Sequence, residues 1–318
     1  MRNSERLYTS LIFRASRKYA SWDPEIPMEV GDYGIITSGG KRRHWKSVWT
    51  RKRRANQRGI FVKEGNVYTD GFAEAVGLPL PQEYGGDDPE GVTWVTSKSA
   101  REIDVEAAAG GQTPVFAECK AKAAFRFTSK AGAVLVMKND SITTLHPAAK
   151  LRFLFDEPSL HGKVIVSEVH RCSSYARYVS SGKTSSVAIG LTVTNPEATK
   201  LFGDVETGAE TRWMKSVSSG NFKTRTRKDG KRAYYPLFRL VSLDEKGLAT
   251  GLRGGEEGEE GDPPLPDVLP PWMEEDEETD DTLVDASDES DAESQASDSK
   301  VSSDRQSSSV FSRLFRSR

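Results

Sequence analysis

Two stretches of the chain, residues 115–138 and 163–194, alternate between apolar and polar or small side chains. In the first stretch the odd positions are Val115, Ala117, Cys119, Ala121, Ala123, Phe125 and Phe127. In the second they include Val187, Ile189, Leu191 and Val193. A period of two belongs to a strand whose two faces differ. The pattern predicts two pairs of strands, with turns at residues 129–132 and 180–182.

The same alternation fits two environments. A strand that crosses a membrane in a barrel needs about 9–11 such residues, and both stretches are long enough. Hairpins of a soluble sheet with one wet face have the same pattern. Because the chain has no run of 18 apolar residues, no membrane-spanning helix is predicted.

The rest of the chain predicts short elements. Residues 5–20 form a basic amphipathic helix, with an apolar face and with Arg14, Arg17 and Lys18 outside it. Strands are predicted near 30–37 and 59–62, helices over 69–76 and 141–155, and an extended segment over 92–105. A terminal hairpin over 221–243 turns at Lys228-Asp229-Gly230.

Charge divides the chain into two parts. Residues 1–255 hold 40 Lys and Arg against 27 Asp and Glu, a net +13, whereas residues 256–304 hold 20 Asp and Glu against one Lys, a net −19. The acidic part has too little apolar surface to order itself. We therefore expect a folded domain over 1–245, and a linker with an acidic, disordered, regulatory tail over 246–318. The basic body favours an anionic partner: phospholipid, nucleic acid or its own tail.

A dense cationic loop follows the first predicted strand. Its basic residues are Lys41, Arg42, Arg43, Lys46, Arg51, Lys52, Arg53, Arg54 and Arg58, interleaved with Trp45 and Trp49. Each cation contributes about 1 kcal/mol near an anionic leaflet, and Trp prefers the headgroup interface. This loop favours a membrane over nucleic acid, although the same charges would neutralise phosphates. A solvated basic loop or a nuclear import signal is also compatible with it.

The sequence gives no positive sign of catalysis. Gly182-Lys183-Thr184 is not a phosphate loop, because Arg177 stands where that motif needs glycine. The four histidines are scattered, so we expect no metal site and no cofactor. Cys119 and Cys172 lie outside any CxxC pattern and are expected to be reduced, as in a cytosolic protein. No signal peptide is recognised at the N-terminus. We expect no enzyme activity, no catalytic residues and no small-molecule substrate.

Several landmarks occur in the order seen in one known family. Phe13-Arg14-Ala15-Ser16-Arg17, followed by Asp23-Pro24 and Ile26-Pro27, resembles the start of the gasdermin pore-forming domain. The basic loop with its two tryptophans is similar to that family's basic, aromatic loop, and Tyr68-Thr69-Asp70-Gly71-Phe72 is similar to the segment after it. His146-Pro147 and the last strand, residues 234–243, also match. The resemblance covers residues 5–243.

This resemblance implies a fold and a mechanism. The fold would be α+β, with a twisted, mostly antiparallel sheet and flanking helices. The protein would be cytoplasmic when inactive. It would then bind acidic phospholipid through the basic helix and loop, assemble into a homo-oligomer and insert β-hairpins from 115–138 and 163–194 as a barrel. Lytic, pyroptosis-like cell death would follow at the plasma membrane or another cell membrane.

The C-terminal part differs from the mammalian gasdermins, which carry a large helical inhibitory domain. About 70 mostly acidic residues follow the resembling region, as in the short-tailed gasdermin-like cell-death proteins of fungi. Activation by a protease that removes the tail, and pairing with a variant protomer, are two expected forms of control. Two other functions stay open: a nucleic-acid-binding protein autoinhibited by its acidic tail, and a soluble lipid-binding scaffold that never inserts.

Overall fold

Strands dominate the part of the chain that the computed structural model describes, which comprises residues 4–37, 60–109, 116–129, 131–180, 186–194, 210–243 and 265–273. All of these residues lie in the first of two compact units, residues 1–275. They contain fifteen strands in three antiparallel sheets. The described α-helices are α1 (Ser4–Ser16), α2 (Phe72–Ala75) and α3 (Val105–Ala109). The coarse prediction of an α+β fold with mostly antiparallel sheets is confirmed.

The largest sheet, here called the main sheet, has seven strands. Its order is β1-β15-β10-β2-β3, and β9 pairs with both β10 and β4. The strands are β1 (Tyr19–Ala20), β2 (Asp32–Ile36), β3 (Phe61–Asn66), β4 (Gln82–Tyr84), β9 (Ser141–Thr144), β10 (Val164–Cys172) and β15 (Tyr234–Ser242). Val166, Leu240 and Phe238 belong to its buried core.

Two four-stranded sheets stack on one another. The inner sheet has the order β14-β11-β8-β5, and the outer sheet has the order β13-β12-β7-β6. The inner strands are β5 (Val92–Thr96), β8 (Ala133–Lys138), β11 (Ser174–Val179) and β14 (Asn221–Thr226). The outer strands are β6 (Ala100–Ile103), β7 (Ala121–Phe127), β12 (Ser186–Thr194) and β13 (Glu210–Lys215). Buried side chains from both sheets form one shared core.

The two predicted strand pairs are present as strands but not as hairpins, so that part of the prediction is wrong. β7 pairs with β6 and β12, while β8 pairs with β5 and β11. Each connection between β7 and β8, or between β11 and β12, therefore crosses from one sheet to the other as an arch. The terminal hairpin is wrong in the same way, because β14 lies in the inner sheet and β15 in the main sheet.

The burial pattern explains these arches. Every residue of β11 is buried, as are residues 133–137 of β8, so these strands need cover on both faces. β7 keeps Lys122 and Arg126 exposed and suits a sheet with one wet face. The first arch also folds back tightly at Gly132, where an added Cβ would lie 2.0 Å from the Phe127 ring. Glycine is the residue that permits this close approach.

Helix α1 covers the free face of the inner sheet. Tyr8 and Ile12 pack there with Leu135, Met137 and Tyr175, while Phe13 joins the core of the main sheet. The helix ends at Ser16, four residues earlier than predicted, because Arg17 takes the left-handed conformation at φ 59° and the chain then enters β1.

Three other predicted segments differ in detail. The predicted helix over 141–155 is β9 followed by a 3₁₀ helix, Ala148–Asp156, which starts directly after Pro147. The extended segment 92–105 is β5 and β6. Residues 116–117 are helical rather than extended, so Ala117 and Cys119 precede the strand that was predicted to contain them.

Candidate functional site

One strand from each of the two stretches predicted to cross a membrane lies in the outer sheet, and these two strands are neighbours. β7 and β12 pair antiparallel, and the register places Ala121 opposite Leu191, Ala123 opposite Ile189 and Phe125 opposite Val187. Because the period is two, these six side chains share one face of the sheet. Ala123, Phe125, Val187, Ile189 and Leu191 are buried. The structure thus joins residues that are more than 60 positions apart into one apolar strip.

The inner sheet covers this apolar strip. Val134 and Val136 of β8 and Ala176 and Tyr178 of β11 belong to the same core cluster. Aromatic rings close its rim: the Trp94 ring lies 5.7 Å from the Phe125 ring, and the Phe127 ring stacks 6.1 Å from Tyr178. The strip is therefore the interior of the sandwich that the two sheets form.

The opposite face of the same strands carries exposed cations. Lys122 and Arg126 of β7 and Arg212 of the neighbouring β13 are exposed, and Arg101 of β6 lies directly opposite Arg126. Like charges in directly opposed positions are destabilising. Within the described ranges, no ion pair involves either of these two arginines. Sequence reasoning missed Arg101, because nothing in the alternation marks which strand lies beside β7.

Four predicted strand residues need separate description. Cys119 is buried against Phe116, Ala124 and Ala188 on the outer side of β7 and β12, and burial raises the pKa of its thiol. Its Sγ lies 3.6 Å from Met214 Sδ. Ala117 is exposed in the helical residues 116–117 that precede β7. Val115 and the side chain of Val193 lie outside the described residues.

The predicted lipid-binding residues fall into two groups. Helix α1 places Arg14 half-buried and Arg17 exposed beyond its end. The basic loop, with Lys41, Arg42, Arg43, Trp45, Lys46, Trp49, Arg51, Lys52, Arg53 and Arg54, lies outside the described residues. The buried surface of α1 comprises Tyr8, Thr9, Ser10, Ile12 and Phe13, so it includes two polar residues and is wider than a single apolar face.

Lys18 sits in a polar cluster that no local pattern indicates. It forms an ion pair with Glu168, and its Nζ lies 2.7 Å from His170 Nε2. Burial alone would raise the pKa of Glu168, but hydrogen bonds from His170 and Lys18 outweigh it and lower the pKa to about 2. His170 Nδ1 lies 3.8 Å from Asp140, which accepts a hydrogen bond from Thr93. The cluster connects the chain after α1 to β10 and to the inner sheet.

A short segment of the predicted acidic tail packs against the body. Residues 265–273, here called the strap, bury Leu265, Trp272 and Met273. The strap corrects part of the expectation that the linker and tail, residues 246–318, would not order. Its apolar residues are interspersed with prolines, which reduce the entropy lost on ordering. This is the signal in the sequence that could have marked it.

The strap is attached to α1 and to the main sheet. Trp272 Nε1 donates a buried hydrogen bond to Ser10 Oγ at 2.7 Å, and the Arg6 guanidinium lies 5.5 Å from the Trp272 ring. The Tyr19 hydroxyl donates to the Val268 carbonyl at 3.1 Å. Movement of α1 away from the body would therefore have to break contacts with the strap.

Over the described ranges, no cluster of three His, Cys, Asp or Glu side chains is arranged to hold a metal. Among the helices described above, none is long and apolar enough to span a membrane. No protein-family model matches this sequence, and a search of curated proteins finds no match either.

Proposed function

We propose that this protein is a gasdermin-like pore-forming protein, which binds acidic phospholipid, oligomerises and inserts β-hairpins into a membrane. The observation that carries the proposal is the pairing of β7 with β12. Their in-register residues give one continuous apolar face, while on the opposite face β7 exposes Lys122 and Arg126 and β12 carries small and hydroxyl residues. A barrel strand needs this alternation, with its apolar side toward lipid and its polar side toward a wet lumen.

The sandwich suggests how the soluble state conceals such strands. The face proposed to meet lipid packs on the inner sheet, so insertion would exchange protein cover for hydrocarbon. The arches would have to open, because β7 and β8, and β11 and β12, would need to pair as hairpins. Strand edges cannot stay unpaired in hydrocarbon. A closed ring of many protomers removes those edges, whether the partners are identical copies or a variant protomer.

Contact with lipid is assigned in this proposal to α1 and the basic loop. Arg17 is exposed in the soluble state, whereas Lys18 is held by Glu168. Lys18 would thus reach lipid only after its ion pair breaks. The strap holds α1 through Trp272, so proteolytic removal of the tail is the route that we assign from the cytoplasmic form to the membrane form.

Dye leakage from liposomes tests the proposal. The purified chain, with and without residues 265–318, is added to vesicles of neutral lipid or of neutral lipid mixed with acidic lipid. Salt-sensitive leakage confined to the acidic vesicles is expected. Binding to acidic vesicles without leakage would instead identify a lipid-binding scaffold. Retention on DNA with no vesicle binding would identify a nucleic-acid-binding protein, for which the exposed Arg101, Lys122, Arg126 and Arg212 offer phosphate contacts.

A further inference from the structure

A cavity of about 310 Å³ lies on the main sheet, apart from the apolar strip and the strap. Its floor comprises Thr143 of β9, Val169 and Arg171 of β10, and Tyr235 of β15. Its walls come from residues 28–30, which precede β2, from Asn66 at the end of β3, and from Tyr68 and Thr69 after it. The volume is at the lower end of the range for small-molecule pockets.

The walls of the cavity are fixed by hydrogen bonds and close packing. The Tyr68 hydroxyl donates to the Pro79 carbonyl at 2.8 Å, and the Tyr68 N–H donates to Asn66 Oδ1 at 2.9 Å. Asn66 in turn donates to Asp32 at 2.7 Å. Gly31, at φ +90°, leaves no room for a Cβ, which would lie 2.7 Å from the Tyr68 ring. The Tyr68 wall is therefore preorganised, and a ligand would not have to order it.

Arg171 supplies unused hydrogen-bonding capacity. Its Nη2 donates to the Arg232 carbonyl at 3.1 Å, while its Nε is buried without a partner among the described residues. Its guanidinium lies 5.8 Å from the Tyr235 ring. A guanidinium has five N–H donors, and a buried donor left unpaired is unfavourable. Because Arg171 lines the cavity, an acceptor that enters it would lie next to the guanidinium.

The lining restricts the chemistry of a ligand. Arg171 and Glu29 are the charged lining residues, and Glu29 is exposed at the rim. Arg171 can neutralise one negative charge, and Glu29 would repel further ones. The lining therefore favours a singly charged anion over a polyphosphate. The remaining lining includes Met28, Val169 and two tyrosines, which suit an apolar or aromatic body. A carboxylate matches the planar fork of arginine.

We propose that this cavity, here called the Arg171 site, binds a small carboxylic acid with an aromatic or apolar body. The carboxylate accepts from Arg171, and the body lies against Val169, Tyr68 and Tyr235. The site is separate from the proposed membrane activity, so either can fail without the other.

Binding of 3-phenylpropionate tests the Arg171 site, with its amide 3-phenylpropionamide as the uncharged comparison. Both are titrated into the full chain and followed by ligand-observed NMR. We expect the acid to bind with a Kd of about 1 mM, as is typical for so small a ligand. The amide should bind about tenfold more weakly, because it lacks the charge-assisted hydrogen bond. Equal binding of acid and amide, or no saturable binding of the acid, would overturn the assignment.

Two variants locate the binding, and a third is the control. Arg171→Gln should remove the preference for the acid. Met28→Trp fills the cavity from a half-buried position and should abolish binding of both compounds, so it decides the matter if Arg171→Gln does not fold. Arg126→Gln changes an exposed arginine on the outer sheet and should leave binding unchanged. Displacement of the acid by inorganic phosphate alone would refute the choice of a carboxylate.

Discussion

Lys18 and Glu168 are separated by 150 residues and form an ion pair that is only partly exposed, with side-chain exposures of 24% and 15%. Solvent screens a partly buried ion pair less than a surface pair. Removal of one partner leaves the other charge partly desolvated and without compensation. His170 and Asp140 extend the network. Lys18 consequently links the chain after α1 to β10.

Substitution of Lys18 by Met should therefore destabilise the soluble fold in a pH-dependent way. Against the opposing effect of burial, hydrogen bonds from His170 and Lys18 lower the pKa of Glu168 from 4.5 to about 2 in the folded state, so these interactions stabilise the fold above pH 4.5, and that stabilisation is lost as the pH falls toward 2. We expect a loss of about 2–3 kcal/mol at pH 7, shrinking below pH 4.5. Urea unfolding over this pH range measures it.

The control for this prediction is Lys98→Met, which removes an exposed lysine. It should change the free energy of unfolding little at any pH. A Lys18→Met deficit that stays constant between pH 5 and pH 2 would show that the ion pair is not its origin.

The sequence predicts which side chains share one face of a strand better than it predicts which residues of distant segments they contact. The odd positions 121–125 and 187–191 do form one apolar face, because alternation is a local property that the pleat of a strand converts directly into geometry. Lys18 was grouped with the lipid-binding cations, since a cation near an amphipathic helix looks the same whether or not an acid from a distant strand meets it. Trp272 and Ser10, 262 positions apart, are even more remote in sequence.

At the scale of elements, the strands themselves could be predicted but not the sheets that contain them. β7 and β8 are separated by a turn, and such a turn fits either a hairpin or an arch. The deciding feature is that β8 is buried on both faces while β7 is not. This difference depends on α1, which covers β8 from a part of the chain more than 100 residues earlier.

An aspartate introduced on the apolar strip should block pore formation, whereas an aspartate introduced at the exposed cation beside it should be tolerated. Ala121 is half-buried at the edge of the strip and Lys122 is exposed beside it. An Asp on the lipid-facing side of a barrel destabilises the inserted state by about 1–3 kcal/mol per protomer. Every protomer of the ring would carry this penalty. Ala121→Asp should bind acidic vesicles but not release dye, whereas Lys122→Asp should still release it.

Ile189→Asp makes the same test nearer the centre of the strip. Ile189 is fully buried in the soluble sandwich, so its folding must be checked by circular dichroism before leakage is measured. Folded Ala121→Asp and Ile189→Asp proteins that leak normally would exclude β7 and β12 as membrane-crossing strands.

The basic loop should control the first encounter with lipid. Replacement of Arg42, Arg43, Arg53 and Arg54 by Glu should abolish cosedimentation with acidic vesicles, because each cation contributes about 1 kcal/mol near an anionic leaflet. Binding of the unaltered chain should weaken as salt rises. The matched control replaces the same four residues by Lys and keeps the charge. If the Glu variant binds as well as the Lys variant, the loop is not the lipid contact.

At the scale of the whole molecule, two kinds of restraint could act on the body. One is electrostatic, since the −19 of residues 256–304 opposes the +13 of residues 1–255. The other is the strap, which is docked by specific contacts of Trp272 and Val268. The charge blocks are evident in the sequence, but the docked strap is not, because its binding site on α1 and β15 exists only after folding. A cut in the linker, between residues 244 and 264, would release both restraints together.

Two truncations separate these restraints. A chain that ends at residue 275 keeps the strap and loses most of the acidic tail, whereas a chain that ends at residue 264 loses both. If docking of the strap restrains α1, the shorter chain should release vesicle dye much faster than the longer one. Trp272→Ala in the full chain should also make dye release faster, because it removes a buried ring that contributes about 3 kcal/mol to docking of the strap. Leu269→Ala, at an exposed position of the strap, is the control and should change little. Equal leakage from the two truncated chains, both faster than the full chain, would instead assign the restraint to the acidic residues alone.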